Sequence, residues 1–178
     1  AGNNIALIGN RLIASPLAGG MYYGISIASG GNDSITVLNN TIENYYYYGI
    51  YANTTVGTVI KGNLFTRPNK IAGFTTNYGI YTSAASNGLV VDGNTIANNT
   101  ANTVTNNTST FYGIYLAGDG TATEPIVVKN NVIYNVTGGT LYGIYGTAAL
   151  ENKIFHNTIA INRNTGSASS NYGLYLTG

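Results

Sequence analysis

Leu89-Val90-Val91-Asp92-Gly93-Asn94-Thr95-Ile96, followed after a Thr- and Asn-rich stretch by Tyr112-Gly113-Ile114-Tyr115, is the unit from which the chain is read. Apolar residues at alternate positions in the first part mark a strand with one buried face. Tyr-Gly-Ile-Tyr reads as a further strand. Both signatures recur along the chain. The tyrosine–glycine–aliphatic triplet stands at Tyr23-Gly24-Ile25, Tyr48-Gly49-Ile50, Tyr78-Gly79-Ile80, Tyr112-Gly113-Ile114, Tyr142-Gly143-Ile144 and Tyr172-Gly173-Leu174. The pattern apolar-x-x-Asn-x-apolar is centred on Asn10, Asn40, Asn63, Asn94, Asn131 and Asn157. Successive triplet glycines are 25, 30, 34, 30 and 30 residues apart. That period is the scale of one solenoid coil.

The expected fold is all-β: a parallel β-helix of about six coils of 25–37 residues, uncapped at both ends. Parallel crossovers are overwhelmingly right-handed, so the coil is expected to be right-handed. The six asparagines fall where a sharp bend is needed. Asn tolerates the left-handed conformation and bonds its own backbone there. In stacked coils about 4.8 Å apart, equivalent Asn side chains can also bond one another as a ladder. The preceding residues, Gly9, Asn39, Gly62, Gly93, Asn130 and His156, are mostly types that accept unusual dihedrals, and His156 reads as a turn residue. In the second strand, alternation turns Ile25, Ile50, Ile80, Ile114, Ile144 and Leu174 inward. It turns Tyr51, Tyr81, Tyr115, Tyr145 and Tyr175 outward, with the triplet glycines on the outside beside them. The preceding tyrosines, Tyr48 to Tyr172, face inward only if the strand already starts there; a bend at the glycine would change that. The connections 97–111, 67–77 and 119–125 are expected to bulge from the coil.

Composition narrows the classes of function. Lys and Arg number 7, Asp and Glu 6, for a net charge of +1 and 7% charged residues. Such a chain has no field to steer it toward phosphate, and no nucleic-acid partner is expected. No apolar run approaches the ~20 residues of a membrane-spanning helix, so membrane insertion is not expected. The absence of cysteine removes disulfides and thiolate chemistry together.

The repeated Tyr-Gly-Ile-Tyr and Val-x-x-Asn-x-Ile, with their Asn/Thr/Ser-rich turns, resemble the parallel β-helix regions of large secreted or cell-surface proteins of Bacteroidota. Those are commonly exported by the type IX secretion system, and more distantly the repeat is similar to that of pectate-lyase-like enzymes. The resemblance covers essentially the whole chain. It implies an extracellular or cell-surface location and contact with secretion machinery. Asp33-Ser34-Ile35 resembles the O-glycosylation pattern of that phylum, which marks Ser34. The chain begins in the Asn-centred strand and stops at Tyr172–Leu176, read as the opening of a seventh coil. Solenoids need polar caps. Neither end reads as one, so residues 1–178 are expected to be a single segment that stacks on further coils of a longer parent.

Chemistry is sparse. The acidic residues are Asp33, Glu43, Asp92, Asp119, Glu124 and Glu151. Glycoside hydrolysis needs two carboxyl groups about 5–9.5 Å apart, and lyase-type sites need clustered acidic Ca²⁺ ligands. Asp33 and Glu124 share a coil position three coils apart. Asp92 sits between Lys61 and Lys129 in a row of alternating charge. Asp119 and Glu124 share a loop and could pair. No catalytic residue, metal or cofactor is expected. The remaining candidate is the outer row Tyr51, Tyr81, Tyr115, Tyr145 and Tyr175, which could lie under sugar rings. Tyr45-Tyr46-Tyr47-Tyr48 would add a local aromatic patch. The expected function is a non-enzymatic structural or adhesive segment that contacts a polysaccharide or cell-surface glycan. Part of a polysaccharide-degrading enzyme and secretion-system cargo are the alternatives.

Overall fold

The computed structural model describes residues 4–28, 34–72, 75–147, 151–161 and 170–177. Its strands fall into layers of three. The first layer is β1 (Asn4–Ile8), β2 (Arg11–Ile13) and β3 (Tyr23–Ala28); the second is β4 (Ser34–Leu38), β5 (Thr41–Glu43) and β6 (Tyr48–Asn53). The third is β7 (Val59–Lys61), β8 (Leu64–Thr66) and β9 (Asn77–Ser83), and the fourth is β10 (Val90–Asp92), β11 (Thr95–Ala97) and β12 (Thr110–Leu116). The fifth is β13 (Ile126–Lys129), β14 (Val132–Tyr134) and β15 (Thr140–Gly146), and the sixth is β16 (Asn152–Phe155), β17 (Thr158–Ala160) and β18 (Asn171–Leu176). Like strands stack into three six-stranded parallel sheets, so five complete turns separate the first layer from the last. Tyr172–Leu176 therefore completes the sixth layer and does not open a seventh.

The core is a set of residue columns running along the axis. Leu7, Val37, Ile60, Val91, Val128 and Ile154 align in the first sheet. Leu12, Ile42, Phe65, Ile96, Ile133 and Ile159 align in the second. Ile50, Ile80, Ile114 and Ile144 in the third are fully buried. Leu174, in the last layer, is exposed.

The asparagine ladder joins the first two sheets at one corner. Backbone N and Nδ2 of Asn63 both donate to Asn94 Oδ1, at 3.0 and 2.9 Å, and the same pair of bonds links Asn94 to Asn131. Nδ2 of Asn94 also donates to the carbonyl of Ile60, one layer back, at 2.9 Å. Each step thus fastens three layers with one side chain. The bond pattern holds from Asn10 to Asn157. The left-handed backbone lies one residue earlier than expected, at Gly9, Asn39, Gly62, Gly93, Asn130 and His156, with φ between 54° and 67°. The ladder asparagines are free of that strain and use their side chains wholly for bonding. His156, with φ 56°, is a turn residue as read.

A second asparagine corner follows four residues after the ladder. Asn44, Asn98 and Asn135 have φ of 55°, 51° and 50°. Arg67 occupies the same column, since its N–H donates to the Asn98 carbonyl as Asn98 donates to that of Asn135. Pro68 follows it and keeps Arg67 extended. From this corner the long connections do not simply bulge; they knit together. Ala101 N–H donates to the Lys70 carbonyl, Lys70 Nζ donates to the carbonyls of Leu17 and Gly19, and Asn99 and Asn107 both donate to the Thr137 carbonyl. They form a buttress along that edge of the coil.

Asn94→Ala would orphan the buried N–H groups of Asn63 and free the Ile60 carbonyl. At about 1–3 kcal/mol per orphaned group, a loss of at least ~3 kcal/mol is expected. Asn10 is exposed and its side chain accepts no ladder bond, so Asn10→Ala should cost about 1 kcal/mol or less. Denaturant unfolding of the two variants checks the difference.

Candidate functional site

Tyr-Gly-Ile-Tyr does not alternate as its sequence implies. In β6, Gly49 and Ile50 are buried in succession, between half-buried Tyr48 and Tyr51. The glycine faces inward, correcting the expectation that it lies outside. A Cβ at Gly79 would stand 2.6 Å from the Gly113 carbonyl oxygen and 2.9 Å from Ile96 Cδ1; one at Gly113 would stand 2.6 Å from the Gly143 oxygen and 2.7 Å from Ile133 Cδ1. Only glycine fits where the third sheet approaches the second so closely.

Because glycine and isoleucine both turn in, both tyrosines turn out. The face therefore carries two rows, because the chain bends at the glycine, the case the sequence left open for the first tyrosine of each triplet. Tyr23, Tyr48, Tyr78, Tyr112, Tyr142 and Tyr172 stack with centroids 4.8–5.2 Å apart and interplanar angles of 3–15°. Tyr51, Tyr81, Tyr115, Tyr145 and Tyr175 stack at 4.8–5.5 Å. Ser26 holds the first-layer place of this second row. In the second to sixth layers the two rings meet edge to face, as Tyr78 and Tyr81 do at 5.1 Å and 74°. Tyr22 and Tyr47 extend the array with a stacked pair at 5.1 Å. Tyr45 departs from the expected patch: it is buried in the buttress.

This herringbone changes what the face can offer. Ring faces are covered by the rings of neighbouring layers, so a sugar cannot lie flat on them. Ring edges and phenol groups are what remains. Each ring pair adds about 0.5–1.5 kcal/mol beyond the area it buries, so the array is itself a fastening. No tyrosine hydroxyl among the described residues is both buried and unpartnered. Tyr51 Oη lies 3.2 Å from Ser83 Oγ, which donates to it. Burial among the rings, reinforced by neighbouring phenols, pushes Tyr112 up to about 12 and Tyr48 and Tyr78 further. No Asp, Glu, Lys or Arg stands in either row.

The other sequence candidates are dispersed. Asp92 is buried under its partners. Lys61 Nζ lies 3.1 Å away and Asn130 Nδ2 donates to it at 2.8 Å. Asn130 first, then Lys61, holds its carboxyl below the usual carboxylate range. Lys129 makes no ion pair with it among the described residues, so the expected alternating row is a single pair. The only other ion pair among the described residues is Arg11–Glu43, at 2.9 Å. Asp119 and Glu124 do not pair. Ser34 opens β4, exposed and in register with Asn4, while Asp33 lies outside the described residues.

Sequence reading missed the buried cations of the buttress. Arg67 is wholly buried with its guanidinium 5.4 Å from the Tyr45 ring centre, and its side-chain nitrogens find no acceptor. Lys70 Nζ stands 5.4 Å from the Tyr46 ring centre. Burial lowers both pKa values. A visible signal existed: the spacing Asn-x-x-x-Asn at 40–44, 94–98 and 131–135, broken by Arg67.

Residues 2–178 match the family model described as right handed beta helix region. The chain belongs to that family. No curated protein and no solved structure matches the chain. The match covers every layer, so the tyrosine face of this right-handed β-helix is part of the repeat itself and not an insertion.

Raised phenol pKa values fix a pH dependence. The unfolded phenol ionises near 10 and Tyr112 near 12, so between those values the folded chain holds more protons. The tyrosine contribution is full below about pH 10 and is lost as pH rises through about 12. Unfolding midpoints measured from neutral to strongly alkaline pH should fall over that window, and Tyr112→Phe should make the fall shallower.

Proposed function

We propose that this β-helix is a non-enzymatic, rigid segment of a secreted or cell-surface protein, and that its tyrosine face adheres to a polysaccharide or cell-surface glycan. The observation that carries this reading is the double row of phenols running from the second layer to the sixth. Its repeat of about 4.8 Å is comparable to the advance per residue of an extended glycan chain. Each phenol edge supplies one weak hydrogen bond and some apolar contact. Regular repetition converts such contacts into avidity, because neighbouring contacts are held at high effective concentration. Rigidity matters here, since the stacked rings are already ordered and little entropy is lost on binding. The resemblance to surface β-helix regions supports the same reading, as does the dispersal of the carboxylates.

The test is size chromatography of a polysaccharide panel with the wild type and with a variant carrying Tyr51→Phe, Tyr81→Phe, Tyr115→Phe and Tyr145→Phe. At least one polysaccharide should elute at larger size with its length unchanged. The quadruple variant should lose most of that shift while unfolding at nearly the wild-type midpoint, since the rings and their stacking remain. A shortened glycan would refute the non-enzymatic reading, and an unmoved panel would refute the adhesive one.

A further inference from the structure

The buttress contains a pocket distinct from the tyrosine face. It has a volume of about 220 Å³ and is lined by Thr100, Ala101, Asn102, Val104, Thr105, Asn135 and Thr137. Its floor is held by hydrogen bonds. Thr100 Oγ1 and Thr137 Oγ1 lie 2.9 Å apart, and Thr137 N–H donates to Asn99 Oδ1 at 2.8 Å. Asn135 is fixed by its Nδ2 bond to Asn98 Oδ1 at 2.5 Å. At the mouth, Asn102 and Thr105 are exposed.

The lining has no charged side chain. It offers hydroxyls and amides, which both donate and accept, beside the small apolar surface of Ala101 and Val104. Ions gain nothing from such a site. A metal would need several oxygen ligands, usually with carboxylates among them, and a phosphate or carboxylate would need a cation or a row of N–H groups. An extended apolar ligand would strip water from the exposed Asn102 amide and Thr105 hydroxyl and return no hydrogen bond. The matching chemistry is a small neutral polyol with C–H surface on one side and hydroxyls on the others. We infer that this pocket binds one neutral monosaccharide unit, held by Asn102, Thr105 and the Thr100–Thr137 floor. The ligand class rests on the glycan reading above; the site does not. It lies at the corner where the loop after β11 leads into β12, the strand bearing Tyr112 and Tyr115.

The experiment titrates isotope-labelled protein with glucose, galactose, mannose, N-acetylglucosamine and galacturonate, following amide shifts by NMR. With at least one neutral sugar, saturable shifts should be confined to residues 100–105 and 135–137. Thr105→Tyr, which fills the mouth from an exposed position, should abolish them. Asn102→Ala should weaken binding about three- to tenfold, the effect of one lost hydrogen bond. The quadruple Tyr→Phe variant should leave them unchanged. Absence of saturable shifts with every neutral sugar overturns the proposal, as does binding of galacturonate alone or binding that survives Thr105→Tyr. Retention of polysaccharide by wild-type protein without pocket shifts would defeat this site and leave the tyrosine face standing. Pocket shifts with no polymer retention would do the reverse.

Discussion

The close approach of the third sheet to the second governs this molecule. All the triplet glycines but Gly173 face an isoleucine or phenylalanine of the second sheet on one side and the next glycine's carbonyl on another. Five of them, from Gly24 to Gly143, have no room for a methyl group. A bare backbone there lets Ile42, Phe65, Ile96, Ile133 and Ile159 reach across the coil. It also breaks the strand's alternation. Two inward residues in succession leave two tyrosines outward, one on each side of the bend, and that is how a structural requirement of the core produces the aromatic surface.

Three repeating devices then divide the task of holding the layers. The glycine column sets the cross-section. The asparagine ladder satisfies backbone and side-chain groups that the first corner would otherwise orphan, which matters because buried unpaired polar groups are costly. The tyrosine herringbone fastens the third sheet from outside. None relies on charge, and this agrees with a chain in which few residues are charged. The buttress departs from the repeat. There Arg67 replaces a corner asparagine, and its buried guanidinium rests on Tyr45 through a cation–π contact, a type worth about 2 kcal/mol or more when desolvated. Loops whose lengths vary between layers meet there, and the polar pocket described above lies among them.

The architecture was legible because each signature repeats and its spacing is that of a coil. The ladder asparagines and the outward Tyr51, Tyr81, Tyr115, Tyr145 and Tyr175 were readable for the same reason. The second tyrosine row was legible only as an alternative, its side depending on a bend at the glycine. Alternation is a rule for regular strands, and the bend at each glycine is set by the sheet packed against it. The buttress was hidden: Thr100, Asn99 and Asn107 bond partners some 30–38 residues away, and nothing local marks such contacts. Asp92 was correctly placed beside Lys61, yet its main partner is Asn130, an amide that a charge pattern cannot reveal.

The most direct measurement compares Gly113→Ala with Gly173→Ala by denaturant unfolding, alongside the near-UV circular dichroism of the tyrosines. At Gly113 the added Cβ meets a carbonyl oxygen at 2.6 Å, whereas at Gly173 nothing lies within 4 Å. If the glycine column sets the coil, Gly113→Ala loses on the order of 1–3 kcal/mol and disturbs the aromatic signal, while Gly173→Ala stays close to wild type in both. Equal, near-wild-type behaviour of the two variants would contradict the account.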